Sequence, residues 1–382
     1  MPVDLRGNVT HFPSPIERTT MTAELFRTFE IRDVTARNRV MVSPMCQYSC
    51  ERDGLATDWH HVHYGSRATG GAGIVMTEAT AVQAEGRITP SDLGLWSDGH
   101  AKALAETTEF IRQRNATPAV QLAHAGRKAS KSQPWNDSKY LSPKDGGWEV
   151  LSPSGDPYPT DRGTPAIRAM SRGDIEGVIE SFAAAAERAI DAGFEVLEVH
   201  AAHGYLLHQF LSPVTNDRED AYGGDFDGRT RLVREVVGAI RERVPDGTPV
   251  FVRVSATDWL PDRESWTIED TVQLARDLST AVDLIEVSAG GIHPDQEPPS
   301  SGPGFLVPFS ERVTEAVDDV FVGAVGKITA PEQAEELIRN DRADLAIVGR
   351  EHLRDPYFTL HAAEALDATD QVEWPVQYRR AV

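Results

Sequence analysis

Short apolar runs rich in valine, isoleucine and leucine recur along the chain, and each is followed by turn residues. A segment rich in alanine, glutamate and arginine usually comes next with helical spacing, which indicates alternating strands and helices. Several runs are almost continuously apolar, as expected of parallel strands that helices cover. The pattern predicts eight strands, at residues 39–43, 73–79, 118–123, 194–200, 249–255, 283–289, 320–326 and 344–350.

The clearest helix lies between the third and fourth predicted strands. Ser171 and Asp174 have the spacing of a capping box, the stretch IEGVIESFAAAAERAIDA follows, and Gly193 is placed to end the helix. Eight successive strand and helix units predict an α/β fold, specifically a (β/α)8 TIM barrel. A doubly wound sheet is the alternative, but eight regular units without a break favour closure into a barrel.

We expect a polar, proline-containing N-terminal extension at residues 1–22 and a single barrel domain at residues 23–382. Residues 128–168, after the third strand, are rich in proline, glycine and serine. A loop of this length in a compact domain is usually functional or disordered, and Trp135 and Trp148 favour a packed cap over the barrel.

A second loop, rich in glycine and proline, follows the sixth strand at residues 288–305, and a C-terminal tail occupies residues 370–382. Both long loops follow the carboxyl ends of predicted strands. Barrel enzymes place their active sites on that face, so we expect both loops to shape the site.

Charge narrows the range of partners. The 382 residues carry 59 acidic and 38 basic side chains, a formal net charge of −21, which would repel nucleic acid and anionic membranes. The excess fits a salt-adapted host or an ordinary acidic enzyme equally well. No apolar run approaches the roughly 20 residues that cross a bilayer, and the N-terminus lacks the apolar centre of a signal peptide. We therefore expect a soluble cytoplasmic protein.

Cysteine content and glycine motifs limit the redox chemistry. Cys46 and Cys50 are the only cysteines, too few for a disulfide framework or a cysteine-ligated iron–sulfur cluster. No G-x-G-x-x-G follows a predicted strand, so a Rossmann-type dinucleotide site has no support. Any redox chemistry must come from another group.

In a closed barrel the carboxyl ends of all strands surround one mouth, so these ends indicate the site. They supply a ring rich in hydrogen-bond donors and poor in carboxylates. Glycine turns at Gly326-Lys327 and Gly349-Arg350 follow the last two strands, where barrels commonly hold a phosphate. Arg253 either stabilises negative charge on an electron-accepting ring or closes an internal salt bridge, and its position leaves both open.

The stretch HAAHGYLLHQFLSP places three histidines after the fourth strand. His200 and His203, with Tyr205, either ligate a divalent metal or donate hydrogen bonds to a carbonyl compound and protonate it. The shortage of carboxylates weakens the metal interpretation. His208 lies further along and is expected to pack structurally. A separate H-x-H pair, His61 and His63, opens a predicted helix rather than ending a strand, and we interpret it as structural.

The sequence resembles the Old Yellow Enzyme family of flavin-dependent ene-reductases, and specifically its thermophilic-like and xenobiotic-reductase branch. The resemblance covers roughly residues 23–380. It rests on SPMCQYS (43–49), TEATAVQAEGRITPSDLGLWSD (77–98), QLAHAGRKAS (121–130), HAAHGYLLHQFLSPVTNDREDAYGG (200–224), VRVSATD (252–258), GAVGKIT (323–329), RADLAIVGREHLRDPYF (342–358) and PVQYRR (375–380).

The resemblance implies a role for each residue at the mouth. It implies contacts to FMN for Ser43, Pro44, Met45, Cys46, Ala79, Gln121 and Arg253, and contacts to its phosphate for Gly326, Lys327, Gly349 and Arg350. His200 and His203 would donate hydrogen bonds to substrate, and Tyr205 would deliver a proton. Tyr48 and Cys46 would shape the site, and Arg380, with Arg379 as a rival, would reach into a neighbouring subunit.

The implied activity is that of an NADPH dehydrogenase or ene-reductase, which moves hydride from NAD(P)H through FMN to the C=C bond of α,β-unsaturated carbonyl or nitro compounds. A homodimer or homotetramer is implied as well. A metal-dependent hydrolase barrel and a flavin-binding barrel without catalysis are the alternatives. The sequence leaves the choice between NADH and NADPH open.

Overall fold

The computed structural model describes residues 22–299 and 301–381. Twelve strands form within these residues: β1 (Phe29–Ile31), β2 (Val34–Ala36), β3 (Val40–Val42), β4 (Ile74–Ala81), β5 (Thr117–Ala123), β6 (Val150–Ser152), β7 (Ile167–Ala169), β8 (Val196–Ala201), β9 (Val250–Ser255), β10 (Leu284–Ser288), β11 (Phe321–Ala324) and β12 (Leu345–Val348). Ten α-helices accompany them in the same residues: α1 (Asp58–Thr69), α2 (Asp98–Gln113), α3 (Arg172–Asp191), α4 (Leu206–Leu211), α5 (Phe226–Arg243), α6 (Ile268–Leu278), α7 (Val307–Thr314), α8 (Pro331–Arg339), α9 (Arg350–Arg354) and α10 (Phe358–Ala365).

The predicted TIM barrel is confirmed. Eight parallel strands close in the order β10-β11-β12-β3-β4-β5-β8-β9, with β9 pairing back to β10. Each predicted strand overlaps one barrel strand, with bounds that differ by two residues or fewer at most ends. The doubly wound alternative is wrong because the first strand of the barrel, β3, pairs with the last, β12.

The barrel strands are buried on both faces, since helices cover the outside and side chains fill the inside. At the amino-terminal ends of the strands, Met41, Ile74 and Phe251 pack in one apolar cluster. The antiparallel hairpin of β1 and β2 contributes Phe29 and Ile31 to the same cluster. This end is therefore filled, and the opposite, carboxyl end is left for the site.

Helix α3 begins as the capping box predicts. The Asp174 backbone amide donates to the Ser171 hydroxyl at 3.2 Å, and the Ser171 amide donates back to the Asp174 carboxylate at 2.8 Å. Gly193 follows the helix with a φ of +89°, in the left-handed region that favours glycine.

The segment at 128–168 carries structure of its own, because β6 and β7 pair within it as a small parallel sheet. Trp148 packs as expected: its indole donates to the Glu85 carbonyl at 2.8 Å and Arg87 stacks on its ring. The expectation for Trp135 is wrong, since its side chain is 66% exposed. Trp135 sits in a single 3-10 turn of the loop and makes an edge contact with Tyr48.

Candidate active site

A cavity of about 460 Å³ opens at the carboxyl ends of the barrel strands. Every residue predicted to contact the cofactor lines it, together with the predicted catalytic group: Ser43, Pro44, Met45, Cys46, Ala79, Gln121, His200, His203, Tyr205, Arg253, Gly326, Lys327, Gly349 and Arg350. Closure of the barrel brings these side chains together from seven different strand ends. The volume lies in the range of about 300–1,000 Å³ that is usual for ligand sites.

His200, His203 and Tyr205 form one aromatic group on this cavity. The His200 ring lies 5.2 Å from the rings of both His203 and Tyr205, in edge-on orientations. The His203 ring nitrogen Nε2 contacts the Ser288 hydroxyl at 2.7 Å, which fixes that ring. Nδ1 of His200 is buried and has no hydrogen-bond partner within the described residues. Buried nitrogens usually have a hydrogen-bond partner, and a bound ligand would supply the one that this nitrogen lacks.

Burial sets the protonation state of this group. The pKa of His200 lies well below its usual value because burial and the nearby Arg253 both disfavour the imidazolium, and the pKa of His203 is lowered by the same two causes. Burial raises the pKa of Tyr205 above its usual value. At neutral pH the site therefore offers two neutral imidazoles and one protonated phenol.

His208 positions the turn that carries His203 and Tyr205, as its structural interpretation predicts. It is fully buried, and its Nδ1 accepts from the Gly204 amide at 2.9 Å. Its Nε2 lies 2.9 Å from the Asp258 carboxylate. Gly204 has a φ of +70°, and a Cβ there would meet the Gly291 carbonyl at 2.2 Å, so the turn requires glycine.

Under the cavity, two carboxylates lie inside the barrel, a feature missed in the sequence. Gln121 Nε2 donates to Glu198 Oε1 at 2.8 Å, and Arg253 Nε lies 2.9 Å from Glu286 Oε1. Burial and the adjacent Glu286 raise the pKa of Glu198 well above its usual value. Of the two possibilities left open for Arg253, the structure shows the internal ion pair, and Arg253 also lines the cavity. The sequence did contain a signal for this pair, because Glu198 and Glu286 each interrupt an apolar strand run.

The far end of the cavity is formed by the two glycine turns. Gly326 has a φ of +124°, and Lys327 follows at +54°, with its ammonium hydrogen-bonded to the Ser301 hydroxyl at 2.9 Å. A Cβ added to Gly349 would lie 3.6 Å from both Ser43 and Met45, within the cavity lining. Both glycine turns therefore line the cavity at the place where a phosphate was predicted.

Four further residues line the same cavity and were not predicted from the sequence: Trp259, Phe305, Leu306 and Arg354. Trp259 stacks on Phe305 with ring centres 6.3 Å apart. Trp259, Phe305 and Leu306 follow strands β9 and β10 through irregular loops, so no periodic pattern points to them, whereas Arg354 ends α9 after the last barrel strand.

Two predicted residues lie outside this cavity lining. Tyr48 has a φ of +52° and lies within hydrogen-bonding reach of Cys46, whose thiol does line the cavity. Burial raises the pKa of both groups above their usual values. Arg380 is exposed in the C-terminal turn, and Arg379 lies 3.7 Å from Glu373.

The H-x-H pair lies on α1, as its structural interpretation predicts. His63 is buried, with its ring edge-on to Tyr64, and burial lowers its pKa to about 3. His61 packs against Phe110. No group of three or more His, Cys, Asp or Glu side chains within residues 22–299 and 301–381 is arranged to hold a metal ion.

These features define a class of protein: a TIM barrel with a ligand cavity at its carboxyl face, lined by neutral histidines, a phenol and a glycine cradle. A sequence profile of the NADH:flavin oxidoreductase / NADH oxidase family matches residues 24–369. The chain belongs to this family, and it is an NAD(P)H-dependent flavin oxidoreductase.

Individual relatives agree with this assignment over nearly the whole chain. An NADPH dehydrogenase of Listeria innocua is 45% identical over 361 residues, covering 94% of this chain and 99% of the relative. An NADH:flavin oxidoreductase of Gibberella zeae is 43% identical over 381 residues, covering 95% and 91%. The fold is that of the Old Yellow Enzyme homologue from Zymomonas mobilis, with a TM-score of 0.75 and 24% identity over 90% of this chain and 93% of that structure.

Helices of the described residues are too short or too polar to span a bilayer.

Proposed function

We propose that the protein is an FMN-dependent ene-reductase that reduces the C=C bond of α,β-unsaturated carbonyl or nitro compounds with electrons from NAD(P)H. The observation that supports this proposal most directly is the group of His200, His203 and Tyr205 on one cavity, with two neutral imidazoles beside a protonated phenol. That set of groups can donate hydrogen bonds to an oxygen on which negative charge develops and supply a proton next to it.

FMN fits the residues that surround the cavity. Gly326, Lys327, Gly349 and Arg350 would hold its phosphate, because the glycines leave the backbone accessible and the two cations add charge-assisted hydrogen bonds. Gln121 and Arg253 would contact the polar edge of its ring system, and Ala79 would pack against it. When bound, FMN supplies hydride transfer from NAD(P)H to the β-carbon of the oxidant.

The chain's own residues act on the oxygen and on the proton. His200 and His203 donate hydrogen bonds to the carbonyl or nitro oxygen, where negative charge grows as the β-carbon is reduced. Burial favours this role, because a neutral imidazole can donate without bringing a competing counter-ion. Tyr205 protonates the α-carbon as the general acid, and Ser288 keeps His203 oriented through the 2.7 Å contact.

The two alternatives receive less support. A hydrolase would need carboxylate or histidine ligands converging on a metal, and the cavity lining offers two histidines with Glu351 as its single carboxylate. A flavin barrel without catalysis would not require an oriented phenol and two histidines at the same cavity.

Anaerobic spectroscopy of the purified protein tests the proposal. We expect a flavin absorbance that NADPH or NADH bleaches and that cyclohex-2-enone restores, and we expect denaturation to release FMN. A protein without flavin absorbance that binds zinc stoichiometrically would contradict the proposal. A flavin that NAD(P)H does not bleach would favour the non-catalytic alternative.

We further propose that the enzyme works in the cytoplasm as a homodimer or homotetramer, without nucleic acid or membrane partners. The net charge of −21 supports the absence of anionic partners. The exposed C-terminal turn around Arg380 supports contact with a second subunit.

A further inference from the structure

A second cavity, of about 590 Å³, lies between residues 128–168, which we call the capping loop, and the loop that follows β10. We call it the outer cavity. Lys131, Tyr158 and Arg162 line it from the capping side, and Pro294 lines it from the other loop. The hydroxyls of Ser138 and Thr160 add polar groups, so the outer cavity is suited to an anionic, hydrogen-bonding ligand.

In the part of the chain that the structure describes, the cations around this cavity have no carboxylate partner. Lys131 contacts only aromatic faces, with its ammonium 4.6 Å from the Tyr140 ring centre and 5.1 Å from that of Tyr158. Arg127 donates to the carbonyl of Ile292 at 2.7 Å. Within residues 22–299 and 301–381, neither these two nor Arg162 forms an ion pair with an acidic side chain.

This arrangement is unexpected in a chain with 21 more acidic than basic residues. Many arginines elsewhere pair with a carboxylate, as Arg168 does with Asp174 at 2.7 Å. One carboxylate, Asp161, lines the outer cavity, and it pairs with none of the described cations. The cations therefore remain available to a ligand from solution.

The same cations repel one another. Burial, with contributions from the nearby Arg162 and Arg127, lowers the pKa of Lys131 to about 8. Burial also lowers the pKa of Lys128 to about 7, with contributions from Lys131 and Arg127. A bound anion would relieve this repulsion and stabilise the charged ammonium groups.

A continuous row of side chains joins the outer cavity to the active site. The Lys128 ammonium lies 4.9 Å from the ring centre of Tyr205, which lines the active-site cavity, and 5.2 Å from that of Tyr158, which lines the outer cavity. The Lys131 ammonium lies 5.1 Å from the centre of the same Tyr158 ring. A ligand whose reactive end is beside Tyr205 can therefore extend an anionic end towards Lys131.

We propose that Lys131 and Arg162 bind the 2′-phosphate of NADPH in the outer cavity and so distinguish NADPH from NADH. A phosphate monoester carries about 1.5 to 2 negative charges at neutral pH and three acceptor oxygens, which suits two unpaired cations. NADH lacks this group and gains nothing from them. The proposal rests on the proposed function, since it assigns the reductant of that same active site.

Calorimetry on the holoenzyme with two unreactive nucleotides tests the site. 2′,5′-ADP and 5′-AMP share the adenosine and the 5′-phosphate, so they differ only in the 2′-phosphate. We expect 2′,5′-ADP to bind at least about tenfold more tightly, and Lys131→Met or Arg162→Met to remove most of that difference. Lys102→Met, on the exposed surface of α2, is the matched control and should change neither affinity.

A misfolded variant can lose affinity but cannot gain it, so a variant that binds more tightly gives a second test. Asp161→Asn removes the carboxylate that lines the outer cavity, so 2′,5′-ADP should bind a few times more tightly while 5′-AMP is unaffected. Flavin reduction should follow binding: the apparent Kd for NADPH should rise about tenfold in Arg162→Met, with that for NADH unchanged.

Equal affinity of the wild-type protein for the two nucleotides, or equal losses for NADPH and NADH in the variants, would overturn the assignment. It would also be overturned if the variants weakened an acidic oxidant such as a carboxylate-bearing enone but left 2′,5′-ADP binding unchanged. These outcomes leave the proposed function intact, because that function fails only if NAD(P)H cannot bleach the flavin or an enone cannot restore it.

Discussion

At the scale of single residues, burial decides the chemistry of the active site. It keeps His200 and His203 neutral and Tyr205 protonated, so each group is in the form that can donate a hydrogen bond or a proton. Backbone strain marks the same place, since Tyr48 and Lys327 share with His203 a positive φ that side chains other than glycine rarely adopt.

Tyr205→Phe should slow flavin reoxidation by cyclohex-2-enone by about 10²–10⁴-fold, the usual effect of a lost general acid. Reduction by NAD(P)H should stay close to wild type, because no proton from Tyr205 is needed there. Because burial raises the pKa of Tyr205, the phenol stays protonated and the wild-type reoxidation rate should not fall between roughly pH 6 and 9. Stopped-flow measurement of both half-reactions separates these effects.

Tyr222→Phe is the control, since Tyr222 is also buried and loses only its hydrogen bond to Glu235. It should leave both half-reactions unchanged. Equal slowing of reduction and reoxidation in Tyr205→Phe would remove Tyr205 from the role of proton donor.

The paired carboxylates under the site have different neighbours. Burial and Glu286 raise the pKa of Glu198 well above its usual value, which favours its protonated form, while Glu286 lies 2.9 Å from Arg253. Glu198→Gln should therefore cost less than about 1 kcal/mol of unfolding free energy, because glutamine imitates a protonated glutamate. Glu286→Gln should cost about 3–5 kcal/mol, since it leaves the guanidinium of Arg253 without its partner.

Urea denaturation at pH 7 measures both costs, with each variant prepared in the same way. Similar losses for Glu198→Gln and Glu286→Gln would mean that the proton is not held on Glu198.

At the scale of elements, local sequence fixes where helices begin and where strands stop. Ser171 and Asp174 fix the start of α3 through reciprocal hydrogen bonds, and Arg168 adds a 2.7 Å ion pair to Asp174. These contacts lower the pKa of Asp174 below its usual value, with the hydrogen bond from Arg168 as the largest cause. A lowered carboxylate pKa stabilises the fold above the unfolded pKa of about 4, and that stability is lost as the pH falls through the folded value.

Ser171→Ala should lower the unfolding free energy by about 1 kcal/mol, because the Asp174 amide loses its acceptor at the first turn of α3. Ser279→Ala, at the C-terminal end of α6, removes a hydroxyl that has no N-capping role and should stay within about 0.5 kcal/mol of wild type. Chemical denaturation compares the two, and equal losses would contradict the assigned role of the capping box.

At the scale of the whole molecule, closure of the barrel creates the site. His200 and Arg253 are neighbours in register on β8 and β9, yet Ser43 and Gly349 reach the same cavity only because β3 pairs with β12. Arg380 is exposed and lies outside the cavity lining of its own chain, so any contact that it makes with an active site would be with that of a neighbouring subunit.

Arg380→Ala should raise the KM for enones several-fold with little change in the rate of flavin reduction, if this residue completes the site of a neighbouring subunit. Arg379→Ala is the matched control, because Arg379 lies near Glu373 of its own chain. Sedimentation velocity should show a dimer or tetramer for both variants. A monomeric wild-type enzyme, or equal effects of the two substitutions, would contradict the proposed contact.

The sequence by itself determined the eight strands, the start of α3 and the residues at the mouth. Apolar periodicity, capping and turn chemistry act between near neighbours, and the symmetry of a closed barrel then implies that strand ends such as Gln121 and Gly349 converge. His208 was also correctly assigned to packing, from its place beyond the turn.

Only the tertiary structure decided what depends on contacts between distant segments. In the folded chain Trp135 is exposed, Arg253 pairs with Glu286, and Lys131 has no carboxylate partner among the residues that the structure describes. The loops that carry Trp259 and Lys131 have no periodic pattern, so their positions follow from packing against the rest of the barrel. Charge pairing and burial are properties of the assembled fold, and so are the raised pKa of Glu198 and the lowered pKa of His200.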